Sequence, residues 1–175
     1  MSRIEELATE LGALTTGVER AQGQAVAAGR QADEVARQAA AAGFAAVATG
    51  MAAVRQAITE IHGGLHALGG LLGEAASATA KVPQEGSAQE TIAGLAPVRE
   101  RLDGARDALG ATVEQVNRTQ RMVGATLQGG QPGPLLSTLQ GITQILVPLA
   151  QRVGSAKQLA EAAIAQARQL GSPGN

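Results

Sequence analysis

Few side chains in this sequence have the type and spacing to do chemistry. His62 and His66 stand four residues apart, so on a helix both imidazoles leave from one face, as a pair of zinc ligands would. No third ligand stands beside them, and two solvated histidines are the preferred reading. Gly154-Ser155-Ala156-Lys157 ends like a phosphate loop but lacks the upstream glycine spacing and a preceding strand; a helical turn accounts for it. Gly129-Gly130-Gln131-Pro132-Gly133-Pro134 could offer backbone N–H groups to an anion, yet its prolines remove donors and a turn between helices explains it. Arg30 with Glu34, Asp33 with Arg37, and Arg99 with Asp103 have the spacing of solvated helix pairs. There is no Gly-x-Ser-x-Gly elbow, and spacing brings no two carboxylates together for acid–base work. The expectation is a protein that is not an enzyme and that carries no cofactor or metal.

Composition narrows the partners. Over 175 residues the 14 Lys and Arg nearly balance the 15 Asp and Glu, and the basic residues are scattered, which leaves no stripe for a phosphate backbone. Nucleic acid is therefore not an expected partner. With no cysteine, disulfides and thiolate metal sites are excluded. Acidic Glu5 and Glu6 stand where a Sec signal would be basic, and no run of 18 apolar residues follows. The expected location is cytoplasmic, or exported without a Sec signal.

The apolar fraction is 45% but aromatics are only 1%, with Phe44 the sole ring. Such a chain suits close helix packing and not a sheet. Heptad periodicity supplies the elements. A first segment opens at a capping box, Ser2 with Glu5, and runs through Ile4, Leu11, Val18, Ala25, Ala32 and Ala39 at a, with Leu7, Leu14, Ala21, Ala28, Val35 and Ala42 at d. A second has Met51, Ile58, Leu65 and Leu72 at a, with Val47, Val54, Ile61, Leu68 and Ala75 at d. The two frames do not join, and the slip falls between Gly43 and Gly50. A third opens at Ser87 with Glu90 and carries Leu95, Leu102, Leu109, Val116 and Val123 at a; Val98, Ala105, Thr112, Thr119 and Thr126 occupy d. A fourth has Leu139, Leu146, Val153, Ala160 and Ala167 at a, with Leu135, Ile142, Leu149, Ala156, Ala163 and Leu170 at d.

The sequence thus predicts an all-α fold of two long antiparallel, coiled-coil-like hairpins. The first covers residues 1–82 with a turn near 43–50, the linker 83–87, and the second 88–175 with a turn at 129–134. Large residues meet small ones at both ends of each hairpin, which favours antiparallel pairing at constant volume. Leu136, Ile145, Leu159 and Ile164 widen the apolar face of the fourth segment, so the hairpins are expected to pack together as an elongated four-helix bundle. The rival is two separate hairpins whose spare faces self-associate. Pro97 should bend the third segment and Pro148 kink the fourth, and the glycines from Gly63 to Gly73 should weaken the second.

Phe44, beside Gly43 at the first tip, either plugs the end of the bundle or projects as an anchor for a partner; the plug is the favoured reading. With Leu136, Ile145, Leu159 and Ile164 it makes up the candidate partner-contact set. Helices of this length with Ala42-Gly43-Phe44 at the tip resemble the secreted helical hairpins of type VII (ESX, WXG-type) systems. That family's Trp-x-Gly tip and Tyr-x-x-x-Asp/Glu export signal have no counterpart in a chain without Trp or Tyr. The Ala/Gly-rich style and the Gly129–Pro134 segment are also similar to uncharacterised actinobacterial helical proteins. The resemblance implies a non-enzymatic interaction or scaffold protein, escorting a larger effector through its helix faces or self-associating. The alternative is a phasin-like coat whose amphipathic helices open onto a granule or lipid surface. Near-zero charge and the absence of Trp and of Lys-rich polar faces count against that coat, so neither a transmembrane segment nor a membrane surface as partner is expected.

Overall fold

The computed structural model describes residues 2–171 as four helices: α1 (Arg3–Ala41), α2 (Ala45–Ala80), α3 (Ala88–Thr126) and α4 (Pro134–Gly171). Each helix packs on its two neighbours in a closed square, α1 on α2 and α4, α3 on α2 and α4, and among the described residues the backbones do not approach closely across either diagonal. At ~1.5 Å rise per residue the 39 residues of α1 span about 58 Å. We call the end holding the α1–α2 and α3–α4 turns the tip, and the end holding the α2–α3 connection the base.

The apolar rows close on one another. Residues predicted at a and d from Leu7 to Ala32, Met51 to Ala75, Leu95 to Val123 and Leu135 to Ala167 are buried; towards the ends Ile4, Val35, Val47 and Thr126 are half-buried, and Ala42, which caps α1 instead of continuing it, is exposed. Leu170, the last predicted d residue, is 79% exposed. Three threonines are also buried, and each donates its Oγ1 proton to the carbonyl four residues back: Thr79 to Ala75, Thr112 to Ala108 and Thr119 to Gln115. That local bond satisfies the hydroxyl without a partner on another helix, which is why the d row of α3 tolerates it.

Residue size grades along the seams of α1 with α2 and α4 and of α3 with α4. At the base, α1 contributes Leu7, Leu11 and Leu14 and α3 contributes Leu95, Val98 and Leu102, while α2 and α4 contribute Ala75, Ala160 and Ala163. At the tip the assignment reverses: α2 and α4 supply Met51, Val54, Leu135 and Leu139, and α1 supplies Ala28 and Ala32. Neighbouring helices therefore meet large against small, which fills the core at near-constant volume. One ion pair spans each of the four sides: Asp33–Arg55 (3.0 Å), Glu74–Arg101 (2.5 Å), Asp103–Lys157 (2.6 Å) and Glu10–Arg152 (2.7 Å).

Several sequence expectations need correction. The first turn is only Ala42 to Phe44, with Gly43 at φ 82°; Gly50 lies inside α2, where Thr126 packs so closely that a Cβ would lie 2.5 Å from its methyl. The glycines from Gly63 to Gly73 do not interrupt α2, because buried Leu65, Leu68 and Leu72 hold that stretch to the core. The same helix runs to Ala80, so the connection begins at Lys81. Both proline-containing helices continue through Pro97 and Pro148, whose rings sit at the solvent-exposed surface.

Candidate functional site

The tip is assembled from the C-termini of α1 and α3, the N-termini of α2 and α4, and the two turns between them. Gly43 terminates α1 in the left-handed region, where a side chain would be strained, and the Phe44 N–H bonds to the Ala39 carbonyl at 2.8 Å. This turn aims the Phe44 ring outward: it is 63% exposed. Phe44 therefore does not plug the bundle, contrary to the favoured sequence reading. The core is already filled by Met51, Val54, Val123 and Leu135, and three turn residues are too few to fold the ring back over it.

No charged residue occurs in 38–54 or in 122–151. The fold gathers these two segments into one end of the molecule, so the tip forms an uncharged cap around Phe44. Moving from the tip along each helix, the first charge met is an arginine: Arg37, Arg55, Arg121 and Arg152. The first carboxylate lies deeper in every case, at Glu34, Glu60, Glu114 and Glu161. Sequence reading missed this ordering because the two segments are far apart in the chain. The signal was there as two long charge-free stretches, but only the square packing brings them together.

The other candidate residues are spent inside the bundle. Ile164 is buried, and Leu136, Ile145 and Leu159 are half-buried against the core. Leu136 and Ile164 share a heptad row with Lys157, which pairs with α3; Ile145 and Leu159 share one with Arg152, which pairs with α1. They seal α4 onto its two neighbours instead of offering a surface. His62 and His66 are exposed on α2, and among the described residues no three His, Asp or Glu side chains converge on a metal position.

One groove runs between α1 and α4, a cleft of about 640 Å³ lined by Gly17, Arg20, Gln24, Gln144, Pro148 and Arg152. It exists because Gly17 lets Leu149 approach to where a Cβ would stand, 2.5 Å from its Cδ2, and because Pro148 lacks the N–H that would bond the Gln144 carbonyl. Glu10 engages Arg152 through both carboxylate oxygens, at 2.7 and 3.2 Å. The guanidinium most directly placed to hold a ligand in the groove is thus already occupied.

Residues 86–172 match a family of unknown function, DUF6244. The DUF6244 region coincides with the second hairpin, from the α3 capping box through the end of α4, and so includes one half of the tip. No curated protein matches the chain.

Proposed function

We infer that the protein is a non-enzymatic helical interaction protein, a closed rod that meets its partner through the outer surface and above all through the tip. The observation that carries this is the contrast between buried apolar rows on all four helices and the one aromatic ring, Phe44, left 63% exposed at the end of the rod. The specific form we favour is an ESX-like partner of a larger effector: a hairpin of 39 and 36 residues around an Ala42-Gly43-Phe44 tip supports it. A phasin-like coat requires helices that open onto a surface, and the internal closure of the apolar rows gives it no support.

The first test is solution mass and shape by light scattering with small-angle X-ray scattering. A monomer about 58 Å long is expected; a dimer that covers the tip would remove it as a free contact surface. The second is a photo-crosslinking amino acid at position 44, compared in cells with one at position 66, which is exposed on α2. Adducts at 44 and few at 66 are expected. Equal labelling would sink the reading.

A further inference from the structure

We propose that the tip docks end-on at an anionic lipid–water interface, with Phe44 inserted among the lipids and Arg37 and Arg121 at the headgroups. This rests on the reading of the tip as the contact surface. Three independent features of that end fit such a partner.

The first is the depth of the uncharged cap. Arg37 lies four residues before the end of α1 and Arg121 five before the end of α3, which places them about 6 and 7.5 Å from the helix ends. Interfacial segments bury their apolar groups to roughly 5–10 Å. Immersing Phe44 and the flanking alanines to the shallow part of that range takes no charge out of water.

The second is charge order. Arginine precedes carboxylate along each of the four helices, and the two charges nearest the end are Arg37 and Arg121, although the chain as a whole is at −1. An anionic headgroup layer attracts basic side chains held at its surface, and the attraction fades within a Debye length. Arg55 and Arg152 stand 10 and 18 residues into their helices, about 15 and 27 Å from the end, and take no part in that contact. Arg37 has a carboxylate partner in Glu34.

The third is how the helix ends are finished. The N-terminus of α2 has no side-chain cap and no acidic residue in its first turn, and that of α4 has no acidic residue either. Amides left free at α2 suit lipid phosphates, the ligands that helix N-termini receive. By contrast, a Ser or Glu cap would carry polar groups into the interface.

The tip alone is small for a protein partner, which would have to engage the sides of the rod as well. Four helices with axes ~8–10 Å apart present an end of roughly 400 Å², about half of the ~800 Å² per partner that a specific interface buries. The sequence expectation against a membrane surface rests on the charge of the whole chain, whereas with the helices standing on end it is the charge near the tip that meets the headgroups.

The chain lacks Trp, so Phe44→Trp gives a single fluorophore at the proposed contact. With vesicles of phosphatidylcholine and phosphatidylglycerol at three to one, its emission should shift to the blue and be quenched by brominated lipid. Vesicles of phosphatidylcholine alone should give a much smaller effect. In flotation with the same anionic vesicles, Phe44→Glu should lower the bound fraction at least tenfold, and the Arg37→Gln, Arg121→Gln double variant several-fold. Circular dichroism checks that the helices persist; Leu170→Glu, at the base, should bind like the parent. The proposal is overturned by unshifted emission, by equal binding to neutral vesicles, or by binding that survives Phe44→Glu. Crosslinks from position 44 to protein alone would also overturn it while leaving the tip as a contact surface, and absence of any adduct there would remove both readings.

Discussion

The two ends of the bundle solve the same problem by opposite means. At the base, α1 and α3 begin in capping boxes: the Ser2 and Ser87 hydroxyls accept from the Glu5 and Glu90 N–H groups, while each glutamate accepts from its serine N–H at 2.7 and 2.8 Å. At the tip, α2 and α4 have no acidic first turn, α1 and α3 have no basic last turn, and the chain reverses on glycines at positive φ, Gly43 and Gly129. Charged and hydroxyl caps are the stabilising choice for an end that stays in water. Their absence from one end only teaches that the tip is built from groups that can lose their water.

The comparison can be tested from the inside outwards. Leu11→Ala at the base and Met51→Ala at the tip both truncate side chains with 0% exposure; each should cost about 2–5 kcal/mol in urea unfolding. Similar losses mean that the ends differ in surface alone, whereas a small loss at Met51 would mean that the tip core is loose. Next come the caps. Ser87→Ala should cost about 1 kcal/mol. Phe44 occupies the N-cap of α2 without a side-chain bond, so Phe44→Asp should add up to about 1 kcal/mol while removing contact at the tip. Loss of stability in Phe44→Asp would show that the ring supports the fold and break the contrast.

The smallest effect is on pH dependence. The Ser2 and Ser87 backbone N–H groups that donate to Glu5 and Glu90 hold these carboxyls below the usual glutamate value, with the serine hydroxyls adding to the effect. A depressed native value means that the contribution is fully present above the ordinary glutamate pKa and is lost as pH falls through the lowered one. Glu90→Gln should therefore flatten the acid limb of a thermal-stability profile slightly, and Phe44→Asp should steepen it by giving the tip a base-like cap. An unchanged acid limb in Glu90→Gln would remove the electrostatic side of the comparison.

The core was legible because burial follows a period that the sequence displays: away from the helix ends, the a and d residues lie where seven-residue spacing puts them. Both capping boxes were equally plain, being local hydrogen-bond patterns. Breaks were harder to read. Gly50 reads as a helix stop at a cost of ~1 kcal/mol against Ala, yet it admits Thr126 between helices, and that contact is invisible without the fold. The outward turn of Phe44 depends on how few residues join α1 to α2, which the frame slip between Gly43 and Gly50 bracketed without fixing. The arginine order around the tip is non-local by nature, since it compares positions on four helices.

The size gradient along the seams has a consequence for how so repetitive a chain finds one structure. A heptad pattern is degenerate: sliding a helix by seven residues, ~10.5 Å, returns apolar side chains to apolar slots. Here a slide of α4 towards the base would bring Leu146 and Leu149 level with Leu11 and Leu7, crowding that part of the core, and leave Ala25, Ala28 and Ala32 without large partners, hollowing another. The gradient therefore works as a vernier scale, in which only the true alignment matches at every graduation. An alanine-rich rod with a single aromatic ring can in this way encode its register in volume alone.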